Sequence, residues 1–160
     1  MSIRDMTLTF QATLAKQLDA VICAETLVGS VAQTEITTQH TLHAGMYART
    51  MKLPAGNVLV GALVQVETIV IFDGDADVFV GDSTIRLTGH HVIAASAFRK
   101  QIYTAHTDCH ITAIHATTAK TVAEAEAEAT EEHHRLASRR PGHMSTPNVS
   151  GRPAALAQQR

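Results

Sequence analysis

Between residues 43 and 117 the chain runs through about eight short stretches rich in Val, Ile and Thr. Gly, Asp, Ser and Pro punctuate them, and no helical run intervenes. Strands are expected at 46–53, 57–66, 68–72, 76–80, 84–88, 91–95, 99–104 and 109–117. Tight turns are expected at Pro54-Ala55-Gly56, Asp73-Gly74-Asp75 and Gly81-Asp82-Ser83. So many closely spaced strands argue for an antiparallel sandwich or barrel.

The flanks read differently. Phe10, Leu14, Leu18, Val21 and Ile22 recur at spacings of three and four, which predicts an amphipathic helix over 9–26 within an N-terminal segment, 1–30. The barrel is expected over 35–118. Residues 120–137 are built from strong helix formers, with Glu131 and Arg135 as a candidate i,i+4 pair. The Glu run there reads as a solvated face. Residues 138–160 hold three Pro, two Gly and almost no large apolar side chain, and are expected to form an extended arm.

Charge is unevenly placed. The net charge of −2 combines eight basic and fifteen acidic residues in 1–132 with Arg135, Arg139, Arg140, Arg152 and Arg160 and no acid thereafter. An acidic body and a basic arm suit the grip of an acidic neighbour. With no Trp and only four Phe and two Tyr, the chain has little from which to build a stacking platform for single-stranded nucleic acid. Five Arg without a recognition helix would make only salt-sensitive, sequence-blind contacts, so nucleic acid is not an expected partner. No apolar run is long enough to span a membrane, and no secretory leader is expected after Arg4 and Asp5. Cys23 and Cys109 form neither a disulfide framework nor a zinc ribbon and read as small buried residues of a reducing compartment.

Two stretches carry a family resemblance. One runs from Gly45-Met46-Tyr47-Ala48-Arg49 through Pro54-Ala55-Gly56 to Gly61; the other is Cys109-His110-Ile111 through His115. In that order they resemble small cupin-like proteins of bacteriophage and prophage genomes, over roughly 35–130. The resemblance implies a jelly-roll barrel, dimeric in most cupins. It also implies a comparison with the metal site of cupin enzymes, which is a His-x-His pair with a carboxylate on one strand and a further His from a later one. Alternate strand residues share a face, so two such imidazoles converge on one ion. Here Val64 and Val66 stand where the pair would fall, continuing an apolar face from Val58, Val60 and Ala62. Glu67 has the opposite parity. The metal motif reads as degenerate, and no metal or other cofactor is expected.

The ten histidines offer no replacement by spacing. His90 and His91, His110 and His115, and His40 and His43 each fall on opposite faces of an extended strand. His115 shares a face with Cys109, Ile111 and Ala113 and is expected to point into the barrel. Six residues separate it from Cys109, roughly 20 Å of strand, too far for a nucleophile–base pair. Tyr47 and Arg49 share a face too, and with His115 they form a candidate barrel pocket. Asp73, Asp75 and Asp77 superficially resemble a calcium loop, but Thr84 occupies the twelfth position, where a bidentate Glu is needed. Arg99-Lys100 reads as exposed strand polarity.

These features predict a non-catalytic structural or interaction protein, a homodimer or larger homo-oligomer. Leu59, Leu63, Ile69 and Ile71 leave both strand faces apolar, as in a barrel filled inside and covered outside by a partner. The phage resemblance extends this to a virion component, such as a capsid cement or decoration protein, located in the virion or the host cytoplasm. The alternative is a cupin-type enzyme or small-ligand binder with a non-standard barrel-mouth site, built from His115 with Tyr47, Arg49 or His43.

Overall fold

The computed structural model describes residues 26–28, 36–80, 83–139 and 144–149. They form one curled sheet of nine strands: β1 (Thr26–Val28), β2 (Thr37–His43), β3 (Met46–Leu53), β4 (Val58–Val60), β5 (Thr68–Val80), β6 (Ser83–Ala95), β7 (Gln101–Ala105), β8 (Cys109–Ala116) and β9 (Ser145–Val149). One helix, α1 (Val122–Ala129), follows β8, with two short 3-10 turns at Glu131–Arg135 and Ala137–Arg139. Strand order is β1-β4-β7-β5-β8-β3-β2-β9, with β6 on the other edge of β5.

Strict alternation drives the curl. Along β3, Tyr47, Arg49, Met51 and Leu53 are buried, and their neighbours are more exposed. β8 does the same with Cys109, Ile111 and His115. The inward side chains of β3, β4, β5, β7 and β8 merge into one core that includes Leu53, Leu59, Phe72, Val78, Tyr103 and Ile111. Phe72 and Tyr103 stack within it at 6.4 Å between ring centres.

The long strand β5 makes closure possible. Its first half pairs with β8 (Ile69 to Asp73) and its second with β7 (Ala76 to Val80), while β6 runs along the whole of its other edge. The switch falls at Gly74, which has φ +135° and lies opposite Gly89. A Cβ at Gly74 would lie 2.7 Å from Cys109 Sγ and 2.9 Å from the Asp108 carbonyl oxygen. Only glycine lets the strand bend there while β8 approaches so closely.

Several expectations change. The turn expected at Asp73-Gly74-Asp75 is a bend inside a continuous strand, so 68–72 and 76–80 are one element. The expected strands 84–88 and 91–95 are likewise one, because β6 follows β5 pair by pair through Gly89. The strand expected at 57–66 ends at Val60, leaving a single bridge between Val64 and Arg99. The sheet is mixed rather than antiparallel. β9 runs parallel to β2, because α1 and the 3-10 turns carry the chain back before it pairs again. β2 was not foreseen; it joins β3 through Ala44 (φ 51°) and Gly45 (φ 74°), a two-residue turn with both φ positive. The helix expected over 120–137 stops at Thr130, whose side chain accepts from the Glu132 N–H and starts the first 3-10 turn. The arm expected over 138–160 includes strand β9. The helix expected over 9–26 lies outside the described residues, apart from Thr26, which begins β1.

Gly74→Ala is expected to lower unfolding free energy by about 3 kcal/mol, combining positive-φ strain with overpacking. At Gly89 (φ +82°) nothing lies within 4 Å of an added Cβ, so Gly89→Ala should cost only about 1 kcal/mol. Urea denaturation of both variants tests this; equal losses would contradict the close approach at Gly74.

Candidate functional site

At one end of the curled sheet the inward side chains turn polar. Tyr47 and Arg49 on β3 lie directly opposite His115 and Ala113 on β8. On the far side of β3, His40 of β2 pairs with Arg49. All four polar residues are buried, at 1% exposure for His40, 2% for Tyr47, 7% for Arg49 and 5% for His115. His40 Nδ1 lies 2.7 Å from Tyr47 Oη. The Tyr47 ring meets His115 edge-on at 5.3 Å.

Helix α1 closes this end. Its start is fixed by a capping box: Glu124 N–H donates to Thr121 Oγ1, and Thr121 N–H donates to Glu124 Oε2. That sets Val122, Ala125, Glu126 and Ala129 on the side facing the barrel. Ala125 is fully buried against Leu42 and Tyr47. Glu126, 2% exposed, points its carboxylate at the polar cluster. Arg49 Nη1 donates to Glu126 Oε1 at 3.1 Å, and Ser138 Oγ donates to the same oxygen at 2.8 Å. Arg139 Nη2 lies 2.6 Å from Oε2, and His40 Nδ1 lies 3.9 Å from Oε1. One carboxylate thus ties together β3, the helix and the chain that leads into β9.

A second arginine lies deeper in the sequence and was expected to be exposed. Arg99 is only 8% exposed. It follows Phe98, which has φ 55° and is 75% exposed. That turn swings the Arg99 side chain inward. Nη1 donates to the carbonyls of Val66, Ala95 and Ser96, and Nη2 donates to Thr68 Oγ1. All four acceptors are neutral. Burial pushes its pKa down from the ordinary arginine value, opposed by Tyr103.

These groups line an interior cavity of about 100 Å³, whose walls also include Leu59, Ala62, Val64, Val70, Gln101 and Tyr103. The Tyr103 hydroxyl donates to Gln101 Oε1 at 3.0 Å, and burial pushes its pKa up to about 12. Burial pulls the His115 pKa below its ordinary value, opposed by the Glu128 charge and a backbone hydrogen bond at Ala125. Its Nε2 is buried with no hydrogen-bond partner among the described residues. Burial pushes the Cys109 thiol up, which disfavours the thiolate.

The cavity does not suit the divalent metal of cupin enzymes. Among the described residues no three His, Cys, Asp or Glu side chains gather as a ligand set. Among the described residues His115 is the only imidazole lining the cavity, the Glu126 carboxylate is engaged by cations and Ser138, and Arg49 and Arg99 would repel a further cation. Val64 lines the cavity. The even-numbered apolar face does not persist, however, because Leu59 faces the core and the strand breaks after Val60. Glu67 is exposed.

The candidate pocket of Tyr47, Arg49 and His115 is thus assembled, while His43 is exposed and outside it. Sequence reasoning missed three of its neighbours. In sequence Glu126 belongs to a run that reads as a solvated face, although it shares the helical stripe of Val122, Ala125 and Ala129. His40 was set aside on parity with His43. Arg99 was paired with Lys100 as exposed. Of the arm residues, Arg135 pairs with Glu132 at 3.2 Å, and Arg139 pairs with Glu126. Arg140, Arg152 and Arg160 lie outside the described residues. Asp75 and Asp77 face Arg86 across the β5–β6 ladder, at 2.6 and 3.3 Å. No described helix is long and apolar enough to cross a membrane.

No protein-family model matches the chain, and no curated protein matches it. Solved structures overlap it in part. A conserved protein of unknown function from Streptococcus pyogenes is 13% identical, with a TM-score of 0.44 over 55% of this chain and 79% of that one. An RmlC-like cupin from Desulfovibrio desulfuricans is 15% identical, with a TM-score of 0.42 over 56% and 92%. A cupin domain from Schizosaccharomyces pombe is 21% identical, with a TM-score of 0.41 over 55% and 69%.

Two outcomes are expected. A chain ending at Ala137 lacks Ser138, Arg139 and β9, and should be less stable by roughly 2–4 kcal/mol than one ending at Val149, which keeps them. Equal urea midpoints would contradict the role of Glu126. The second concerns pH. The unfolded chain protonates His115 near 6.5, and the folded site does so only at lower pH. The stability gained by keeping His115 neutral is therefore full above that value and is lost as pH falls below it. Between about pH 7.5 and 5, His115→Leu should lose less stability than the unaltered protein. Identical losses would show that His115 is not held neutral.

Proposed function

We propose that the chain is a non-catalytic, metal-independent interaction barrel that assembles with further copies of itself. The observation that carries this reading is the outer face of β6, β5, β8 and β3. There Val92 lies opposite Ile71, Ala94 opposite Ile69, Ile69 opposite Ile114, and Ile114 opposite Ala48. Met46 sits at the near end of the same face. Val92 is 65% exposed, Ile69 47% and Met46 41%. A contiguous apolar patch across four paired strands is costly to leave in water and suits burial against a second copy. The commitment of Glu126 to arginine partners supports the metal-independent part. The bacteriophage-type resemblance of residues 45–61 is what supports a virion role, such as a capsid cement or decoration protein.

A second reading has its own observation in the interior cavity, where Arg99 and His115 have hydrogen-bonding capacity that the protein leaves unused. It takes the barrel as a binder of a small molecule.

Sedimentation of the full chain at about 50 µM tests the first reading. A dimer or larger species is expected, and Ile69→Lys with Val92→Glu should convert it to a folded monomer. A monomeric unaltered protein, or a double variant that still assembles, would overturn it.

A further inference from the structure

The cavity holds an unbalanced charge. Arg49 and Arg139 share the Glu126 carboxylate. Among the described residues Arg99 has no carboxylate partner; its hydrogen bonds reach three carbonyls and one hydroxyl, and its Nε is buried without an acceptor. A buried cation met only by neutral dipoles is the usual place for a counter-ion. The Coulomb attraction of an anion there is little screened by water.

His115 lies close by. Continuing the β5–β8 register by one pair beyond Ile69–Ile114 sets Thr68 opposite His115, and Thr68 Oγ1 accepts from Arg99. Thr68, Arg99 and His115 therefore form one corner of the cavity wall. Nε2 is the unpartnered ring nitrogen of His115. In the neutral tautomer that carries its proton on Nδ1, Nε2 is a hydrogen-bond acceptor. The corner thus offers a cationic donor and an imidazole nitrogen, and the rest of the lining mixes apolar Leu59, Val64 and Val70 with polar Gln101, Tyr103 and the Arg49–Glu126 pair.

Size limits the guest. An apolar cavity of about 150 Å³ holds benzene, so about 100 Å³ holds on the order of four or five non-hydrogen atoms. We propose that the barrel interior binds a short hydroxycarboxylate, its carboxylate against Arg99 and its hydroxyl donating to His115 Nε2. This rests on the second reading above, that the interior takes a small molecule, and names the class of that molecule. A carboxylate is preferred to phosphate or sulfate because the corner offers a single unpaired cation and a small volume.

Isothermal titration of the full chain near pH 7.5 with four probes tests it: glycolate, acetate, glycolamide and 3-hydroxybutyrate. Glycolate should bind with Kd below about 1 mM. Acetate, which lacks the hydroxyl, should bind about tenfold more weakly, and so should glycolamide, which lacks the charge. The larger 3-hydroxybutyrate should bind weakest. His115→Leu should bring glycolate and acetate to equal affinity, and it leaves Arg99 and its carbonyl partners untouched. Glycolamide binding as tightly as glycolate would overturn the anion assignment while leaving an occupied pocket. No heat from any probe up to about 20 mM would overturn the small-molecule reading itself.

Discussion

A single buried carboxylate organises this molecule. Glu126 sits at 2% exposure between an arginine on the barrel wall and an arginine beyond the helix. Removing a carboxylate from water costs several kcal/mol, so the arrangement persists only because its oxygens meet cations and a hydroxyl. The consequence is positional. Helix α1 has an apolar side made largely of alanine and gains little from burial alone. The ion pair with Arg49 holds it across the barrel end, and the pair with Arg139 turns the chain so that β9 lies along β2. Within the segment that composition portrays as an extended arm, Ser145–Val149 pairs with the sheet.

The second constraint is steric. One strand, β5, must serve two different neighbours on one edge, and the handover takes place where a side chain has no room. Gly74 and Gly89 face each other across the hairpin, and the bend there turns a flat sheet into a curled one. The curl brings Thr68, His115 and Arg99 round the same cavity, far apart though they are in sequence. The interior is consequently not the uniform apolar core that strand alternation alone would build. One end is packed by Phe72, Tyr103 and their neighbours, and the other carries charge.

Much of this was legible in the residues. The strands from β4 to β8 announce themselves by runs rich in Val, Ile and Thr, and Tyr47, Arg49 and His115 point inward as period two requires. The parts that were not legible depend on contacts distant in sequence. Asp73-Gly74-Asp75 has the composition of a hairpin turn, and only the proximity of Cys109 makes it a bend. Thr37–His43 carries few apolar residues, and its pairing rests on a turn at Ala44-Gly45 without the usual Asn-Gly signature. Glu126 sits in an alternating Ala/Glu run in which local propensity cannot separate the buried glutamate from the exposed ones; its place on the stripe of Val122, Ala125 and Ala129 was the available signal. Arg99 gave none, since its burial follows from the positive φ of Phe98.

The most direct test of this account is a double-mutant cycle between Arg49 and Glu126, using Arg49→Met, Glu126→Gln and the pair, read by urea denaturation. The account expects a coupling of at least roughly 2 kcal/mol, with the double variant more stable than the sum of the single losses implies. Losses that add to within about 0.5 kcal/mol would mean that the two groups do not depend on each other, and that something other than Glu126 fastens the helix to the barrel.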